Sequence, residues 1–235
     1  MMTLSPVLIV GHGQPSDPAP AAQELASLAD QVGAHFPPGQ IHSVTLAEPE
    51  GLAGAVQRLG PFGMVFPMFM AGGWFTKVNL PKKLAEVGGD NWRVAEPFGE
   101  DPAVLTLCLE MLREAGIGAG DEVLLAAHGS FRSPAPSQIA NRVAEHLQRE
   151  LGLARCQAAF IDQSPKLADA VGFSAQAVCL PFFAAKGGHV IDDVPQALAE
   201  AGFSGRVLPP IGLDARAPAL IARAIKRGLV QDGRA

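Results

Sequence analysis

Short apolar runs alternate with longer amphipathic stretches along the chain. Runs such as VLIV at 7–10 and VLLAA at 123–127 are apolar on both faces, as a buried parallel strand requires. In the first half the pattern predicts strands at Val7–Val10, Ile41–Leu46, Gly63–Pro67 and Trp92–Ala95. In the second it predicts them at Glu122–Ala127, Gln157–Ile161, Ala175–Pro181 and Arg206–Leu208. A helix is expected after each strand: 18–36, 50–59, 80–88 and 101–115, then 134–151, 165–172, 194–201 and 214–228. Pro18 and Pro134 fall where first helical turns begin, a position that tolerates proline. Strand–helix alternation predicts an α/β chain with a four-stranded parallel sheet flanked by helices in each half. The glycine-rich stretch Ala115–Asp121 reads as the linker, giving lobes at 1–115 and 116–235.

The halves are copies of one another. Segment 7–15, VLIVGHGQP, returns 116 residues later as VLLAAHGSF and pairs His12 with His128. Segment 67–88 returns 114 residues later and pairs Pro67 with Pro181, Phe69 with Phe183, Gly73 with Gly187 and Pro81 with Pro195. The same segment pairs Phe75 with His189. Pro97, Gly99 and Asp101 match Pro210, Gly212 and Asp214 at an offset of 113. A period this long is a duplication, not a solenoid. Duplicated lobes are expected to pack about a pseudo-twofold axis with a cleft between them, so that one chain suffices as a monomer. Only the second copy keeps both histidines, and the chemistry is expected there.

Composition narrows the function classes. The chain is 48% apolar, enough for a substantial core, and carries a net charge of -5 with no basic stripe, so nucleic acid is not an expected partner. Cys108, Cys156 and Cys179 are odd in number and widely spaced, which fits reduced core thiols in a cytoplasmic protein. No signal peptide is recognisable. The most apolar stretch, Met64–Phe75, contains Pro67 and two glycines and is too short to span a membrane.

In an open α/β sheet, ligands sit beyond the carboxyl ends of the strands. His128 follows the strand at Glu122–Ala127, and His189 lies in the loop after the strand ending at Pro181. Two imidazoles converging there suit a first-row divalent metal. Asp162, at the end of the intervening strand, is the candidate third ligand; its other reading is a cap for the helix over 165–172. Two histidines and one carboxylate leave coordination positions open, as a transient metal site needs. His12 lacks a histidine partner because its counterpart position is Phe75. Glu48 is placed near the mouth of the first lobe. Gly72-Gly73 and Gly187-Gly188 read as tight turns requiring positive φ, or as a phosphate cradle. No Gly-x-Gly-x-x-Gly or Walker pattern is present, so no organic cofactor is expected.

The strand ending in His128-Gly129-Ser130, the run Pro181-Phe182-Phe183 leading to His189, and Val194-Pro195 after it resemble the class II chelatases. These are the sirohydrochlorin cobaltochelatases and ferrochelatases of the CbiX type, and the likeness runs through both copies. The resemblance implies two Rossmann-like lobes with a tetrapyrrole cleft and carries the metal-binding histidines onto His128 and His189. The family often has a glutamate where Asp162 falls. In the first copy the carboxylate position reads as Thr45 and the second histidine as Phe75, unlike relatives whose active histidines lie in the first half.

The implied reaction is insertion of Co2+ or Fe2+, as substrate, into sirohydrochlorin or a related tetrapyrrole, in cobalamin or siroheme biosynthesis. His128 and His189 would present the metal and accept the two ring N–H protons; the reference imidazole value of about 6.5 suits that task. Asp162 would orient an imidazole. Phe69, Trp74, Phe75, Phe182 and Phe183 would wall the macrocycle, and Lys77, Lys82, Lys83, Arg132 and Lys186 would meet its carboxylates. Two alternatives stand beside this reading. One is a non-catalytic metal- or tetrapyrrole-binding protein on a degenerate chelatase fold. The other is histidine phosphotransfer, since His12-Gly13-Gln14 is similar to the Arg-His-Gly-Gln of histidine phosphatases, but Gly11 and Ala127 stand where that arginine belongs.

Overall fold

The computed structural model describes residues 5–187 and 189–231, with only the backbone of His189 and Gln231 described. Every expected strand forms, with small shifts at the ends. In the first half these are β1 (Val7–Gly11), β2 (Ile41–Thr45), β3 (Phe62–Pro67) and β4 (Asn91–Val94). In the second they are β5 (Glu122–Ala127), β6 (Arg155–Phe160), β7 (Val178–Pro181) and β8 (Arg206–Val207). They build two parallel four-stranded sheets of the same topology, ordered β2-β1-β3-β4 and β6-β5-β7-β8. Each is the doubly covered α/β sheet that the repeat and the strand–helix alternation predict.

Seven of the eight expected helices form: α1 (Pro18–Gly33), α2 (Gly51–Leu59), α3 (Leu80–Glu86), α4 (Pro102–Glu114), α5 (Ala135–Leu151), α6 (Val194–Glu200) and α7 (Ala217–Gln231). The helix expected over 165–172 does not. The Phe160 N–H donates to the Pro165 carbonyl at 2.9 Å, and Lys166 pairs with Phe160 as an isolated parallel bridge. That pairing holds Lys166 extended at ψ 146°, and only a 3-10 turn, Leu167–Asp169, fits before Gly172 at φ +78°. Backbone pairing to the strand outcompetes local helix propensity.

α3 and α6 each grow out of a five-residue π-helical turn, Phe75–Asn79 and His189–Asp193. In both, proline is the second residue of the α-helix that follows. Pro81 and Pro195 have no N–H to donate back and would crowd the carbonyl four residues earlier; widening the preceding turn relieves both problems. The repeated proline thus explains a repeated local geometry.

Both faces of each sheet are covered. In the first, Leu8, Val10 and Val65 pack with Leu52, Val56, Leu80 and Leu84 of α2 and α3. In the second, Leu124, Ala126 and Cys179 pack with Leu167, Val194 and Leu198. Val7, Leu8, Ile9 and Val10 are all fully buried, which is why that run shows no polar alternation. Burial pushes the three free thiols, Cys108, Cys156 and Cys179, up to about 12, so they are protonated; Cys108 and Cys179 lie in the core and Cys156 is half-buried. Among the described residues no helix is long and apolar enough to cross a membrane.

The expected lobes, 1–115 and 116–235, follow the sequence repeat. Contacts between elements divide the chain elsewhere: residues up to Asp101 and from Ala215 on form one compact unit, and Pro102–Asp214 the other. α4 packs with α5, and α7 with α1, so each copy's last helix joins the unit built on the other copy's sheet. Ala115–Asp121 is a folded turn inside the second unit. There the Ile117 N–H donates to the Leu112 carbonyl at 2.9 Å and the Gly118 N–H to the Asp121 carboxylate at 2.8 Å.

Gly99 and Gly212 occupy matching turns. Their N–H groups donate to the carbonyls of Phe69 at 3.0 Å and Phe183 at 2.9 Å. A Cβ on Gly99 would lie 2.2 Å from the Met70 carbonyl oxygen, and one on Gly212 only 1.9 Å from that of Ala184. Neither neighbour is a side chain that can swing away. Gly99→Ala and Gly212→Ala should therefore each cost about 2–3 kcal/mol in a denaturant titration with unchanged slope. An unmoved midpoint would show that these turns are not the tight contacts described.

Candidate active site

β5 is an inner strand of the second sheet, hydrogen-bonded to β6 on one side and β7 on the other. His128 is the first residue beyond β5, Asp162 lies just beyond β6, and the loop after β7 leads to the turn that His189 opens. Because the strands are parallel, all three exits share one edge. The ladder continues past the strand ends: Ile161 N–H donates to the Ala127 carbonyl at 3.1 Å and Asp162 N–H to the His128 carbonyl at 2.9 Å. That extra rung sets the two side chains together, with His128 Nδ1 3.4 Å from Asp162 Oδ2. Both are partly exposed. Asp162 caps no helix, since none follows it. His128 Nδ1 also lies 3.1 Å from the Gly129 carbonyl oxygen. A carbonyl only accepts, so in the neutral ring this bond places the proton on Nδ1 and leaves the lone pair on Nε2.

The loop after His128 is held by its own polar groups. Gly129 sits at φ +75°, and a Cβ there would meet the Gln163 side chain at 2.7 Å. The Gln163 side-chain oxygen accepts the Ser130 N–H at 2.7 Å. The Ser130 hydroxyl oxygen in turn accepts the Arg132 N–H at 3.1 Å. Beside the His128–Asp162 pair lies an open groove of about 440 Å³, lined among others by Asp162, Lys166, Asp169, Asp193 and Glu200. Carboxylates outnumber the ammonium there, a setting that draws cations.

In the first unit His12 holds the position equivalent to His128, but its surroundings are aromatic. Its ring centroid lies 4.9 Å from that of Phe75 and 5.6 Å from that of Phe69. Phe75 thus occupies, beside His12, the place its alignment with His189 implies. The assignment of Thr45 to the carboxylate position needs correction. Thr45 pairs with Gly11 in the ladder as Phe160 pairs with Ala127, so the residue matching Asp162 is Ala47. Glu48 turns inward on this loop, its carboxylate accepting from the Thr45 N–H at 2.8 Å and hydroxyl at 2.9 Å.

The model of the CbiX family matches residues 6–115 and again 122–228. The chain belongs to the CbiX family. A solved CbiX structure, described as the terminal enzyme for biosynthesis of siroheme in denitrifying bacteria, is 43% identical. It covers 95% of this chain and 99% of its own, with a TM-score of 0.88. SirB from Bacillus subtilis with Fe3+ shares the fold at TM-score 0.72 and 17% identity, covering 98% of each chain. The sirohydrochlorin chelatase SirB from Bacillus subtilis subspecies spizizenii, in complex with cobalt, does so at TM-score 0.70 and 16% identity, over 96% of this chain and 95% of its own. A comparison with curated proteins gave no match.

Of the residues that the sequence singles out in this CbiX-family chain, the structure brings His128 and Asp162 together. The His189 side chain lies outside the described residues, as does Gly188. Among the described residues no three His, Cys, Asp or Glu side chains are placed to hold a metal. The expected aromatic wall splits: Phe182 and Phe183 are buried in the core, whereas Trp74 is exposed. Neither Gly72 nor Gly73 nor Gly187 has positive φ. Gly72 is small because its N–H donates to the Glu100 carboxylate, which a Cβ would meet. Among the expected cations, Lys82 pairs with Glu86 on the surface at 3.8 Å and Lys77 lines a groove of the first unit. Sequence reasoning missed Gln163, because nothing local links it to a serine 33 residues earlier.

Gly129→Ala should destabilise the protein by about 1–2 kcal/mol through its left-handed backbone alone. Gln163→Ala should leave the fold intact by circular dichroism while speeding hydrogen exchange at the Ser130 amide. Unchanged exchange there would mean that Gln163 does not anchor the loop.

Proposed function

We propose that the protein inserts a divalent metal, cobalt or iron, into sirohydrochlorin or a related tetrapyrrole, on a route to cobalamin or siroheme. The observation that carries this reading is the His128–Asp162 pair at the carboxyl edge of a CbiX-family sheet. The siroheme role stated for the 43%-identical CbiX supports it, as does the occurrence of cobalt and Fe3+ with the SirB relatives. His128 and His189 are the metal-binding and catalytic residues, and Asp162 is the third ligand or the partner that orients His128. The metal and the tetrapyrrole are both substrates. The reaction is cytoplasmic, and a single chain carries it out because both copies are already joined.

Insertion has three requirements. Water must leave the metal, two ring N–H bonds must break, and the metal must form bonds to the four ring nitrogens. With Nδ1 of His128 donating to Gly129, the Nε2 lone pair serves first as metal ligand and then, once the metal has moved to the macrocycle, as acceptor of one ring proton, while His189 takes the second. The Asp162 carboxylate stabilises the imidazolium that results. An incomplete ligand set lets the metal go, which a closed structural site would prevent.

His128→Ala and His189→Ala should each lower anaerobic cobalt or iron insertion by about a hundredfold or more. Asp162→Asn should lower it by about 10–100-fold, and His12→Ala much less than either. Equal losses for His12→Ala and His128→Ala would overturn the assignment of chemistry to the second unit. Stoichiometric binding of both substrates without turnover would mark a binding protein instead.

Imidazole binds metal only when neutral, so protons compete for it. Cobalt affinity should therefore fall on going from roughly pH 7.5 to roughly pH 5.5, and that dependence should weaken in His189→Ala. Calorimetric titration of the apo protein measures both; tight binding indifferent to pH and to the substitution would place the metal elsewhere.

A further inference from the structure

The loop that carries His128 also displays Phe131, 78% exposed, three residues further on. The exposure is not that of a loose segment. The Ser130 N–H is held by Gln163 at 2.7 Å, the Arg132 N–H by the Ser130 hydroxyl at 3.1 Å, and the Ala135 N–H by the Ser133 hydroxyl at 3.3 Å. A fixed loop thus holds a phenyl ring in water and forgoes the free energy that its burial would give.

Across the edge stands Lys166, on the segment that leaves β6. Its ammonium lies 5.1 Å from the centre of the Phe131 ring and donates to the Ile161 carbonyl at 2.7 Å. It also lines the groove that Asp162 lines, and Asp162 is 3.4 Å from His128. Phe131, Lys166, Asp162 and His128 therefore form one continuous patch. Lys166 reaches it because 165–166 pairs with β6 instead of starting a helix. The first copy does not repeat this ring, because the residue matching Phe131 is Pro15.

We infer that Phe131 and Lys166 are the substrate-gripping pair of this site, the ring packing on the apolar face of a macrocycle and the ammonium taking one of its peripheral carboxylates. This rests on the reading of the protein as a chelatase for a carboxylated tetrapyrrole. Lys166 spends one of its three N–H donors on Ile161, and the others serve a carboxylate without breaking that bond. Its place over the ring keeps the cation extended toward the edge, so little side-chain freedom remains to be lost on binding. An aromatic plate next to a cation matches a flat ring with acids at its rim. Among the described residues of that groove Lys166 is the one ammonium beside the carboxylates of Asp162, Asp169, Asp193 and Glu200, so it takes a single acid. Neither group is needed to hold the metal itself.

The test is steady-state insertion of cobalt into sirohydrochlorin, with direct fluorescence titration of metal-free sirohydrochlorin. Phe131→Ala and Lys166→Met should each raise KM and Kd for the tetrapyrrole by about fivefold to tenfold, leaving KM for cobalt and the saturated rate near wild type. Phe131→Trp and Lys166→Arg should restore binding, and Lys166→Glu should weaken it further than Lys166→Met. Because Phe131 is exposed, its substitution will not unfold the chain; a melting temperature for each variant separates any loss of fold from loss of binding. If wild type binds and turns over and the variants match it, the pair is not a substrate contact. If the losses appear in the cobalt KM instead, the patch serves the metal and the inference also fails. If wild type binds no tetrapyrrole, the chelatase reading itself is overturned and this inference with it.

Discussion

The hydrogen-bond ladder of a parallel sheet is the constraint on which the site depends. Parallel strands exit on one edge, and β5, with β6 and β7 on either side, delivers His128, Asp162 and the backbone of His189 to that edge. The decisive step is small. The ladder runs one rung past the end of each strand, so that the Asp162 N–H reaches the His128 carbonyl and the two side chains stand together. Since β5 and β7 are buried on both faces nearly throughout, polar chemistry there gathers beyond their carboxyl ends.

The same frame built twice shows how a duplicated site diverges without losing its scaffold. Both copies keep the glycine after the histidine at positive φ, the proline that forces a π-helical turn, and the glycine whose Cβ would strike a neighbouring carbonyl. What changed is the chemistry at the edge. In the first copy Phe75 stands for the histidine and Ala47 for the aspartate, and His12 is packed among aromatic rings. The loop after β3 is fastened by the Glu100 carboxylate to the Gly72 N–H. The second copy has Leu213 and Lys186 at those positions, so its histidine loop lacks that particular fastening. Fixed geometry with changed side chains is the expected outcome when backbone constraints and chemistry reside in different residues.

The exchange of α4 and α7 between the compact units follows from the same economy of burial. α4 buries Val104, Leu107, Cys108 and Leu112, and α7 buries Leu220, Ile221 and Ile225. Each is a fourth helix whose apolar stripe must be covered, and the covering surface is set by where the chain crosses at Asp101 and Asp214.

The sequence by itself determined the strands, the parallel sheets, the duplication and the surviving histidine pair, because those follow from local periodicity and from comparison of one half with the other. It also placed Asp162 correctly at the mouth of β6, since a strand end is a local feature. Tertiary structure alone decided the rest. Residues 165–172 carry helical propensity, yet Pro165 and Lys166 are claimed by Phe160 through strand pairing. Thr45 looked like the counterpart of Asp162 until the ladder register assigned that place to Ala47. Phe182 and Phe183 look like neighbours of a ligand along the chain but lie in the core, whereas Phe131 is held out beside Lys166. Each of these turns on which residues distant in sequence share a hydrogen bond or a face. Periodicity carries no information about that, because it records the environment of a residue and not the identity of its partner.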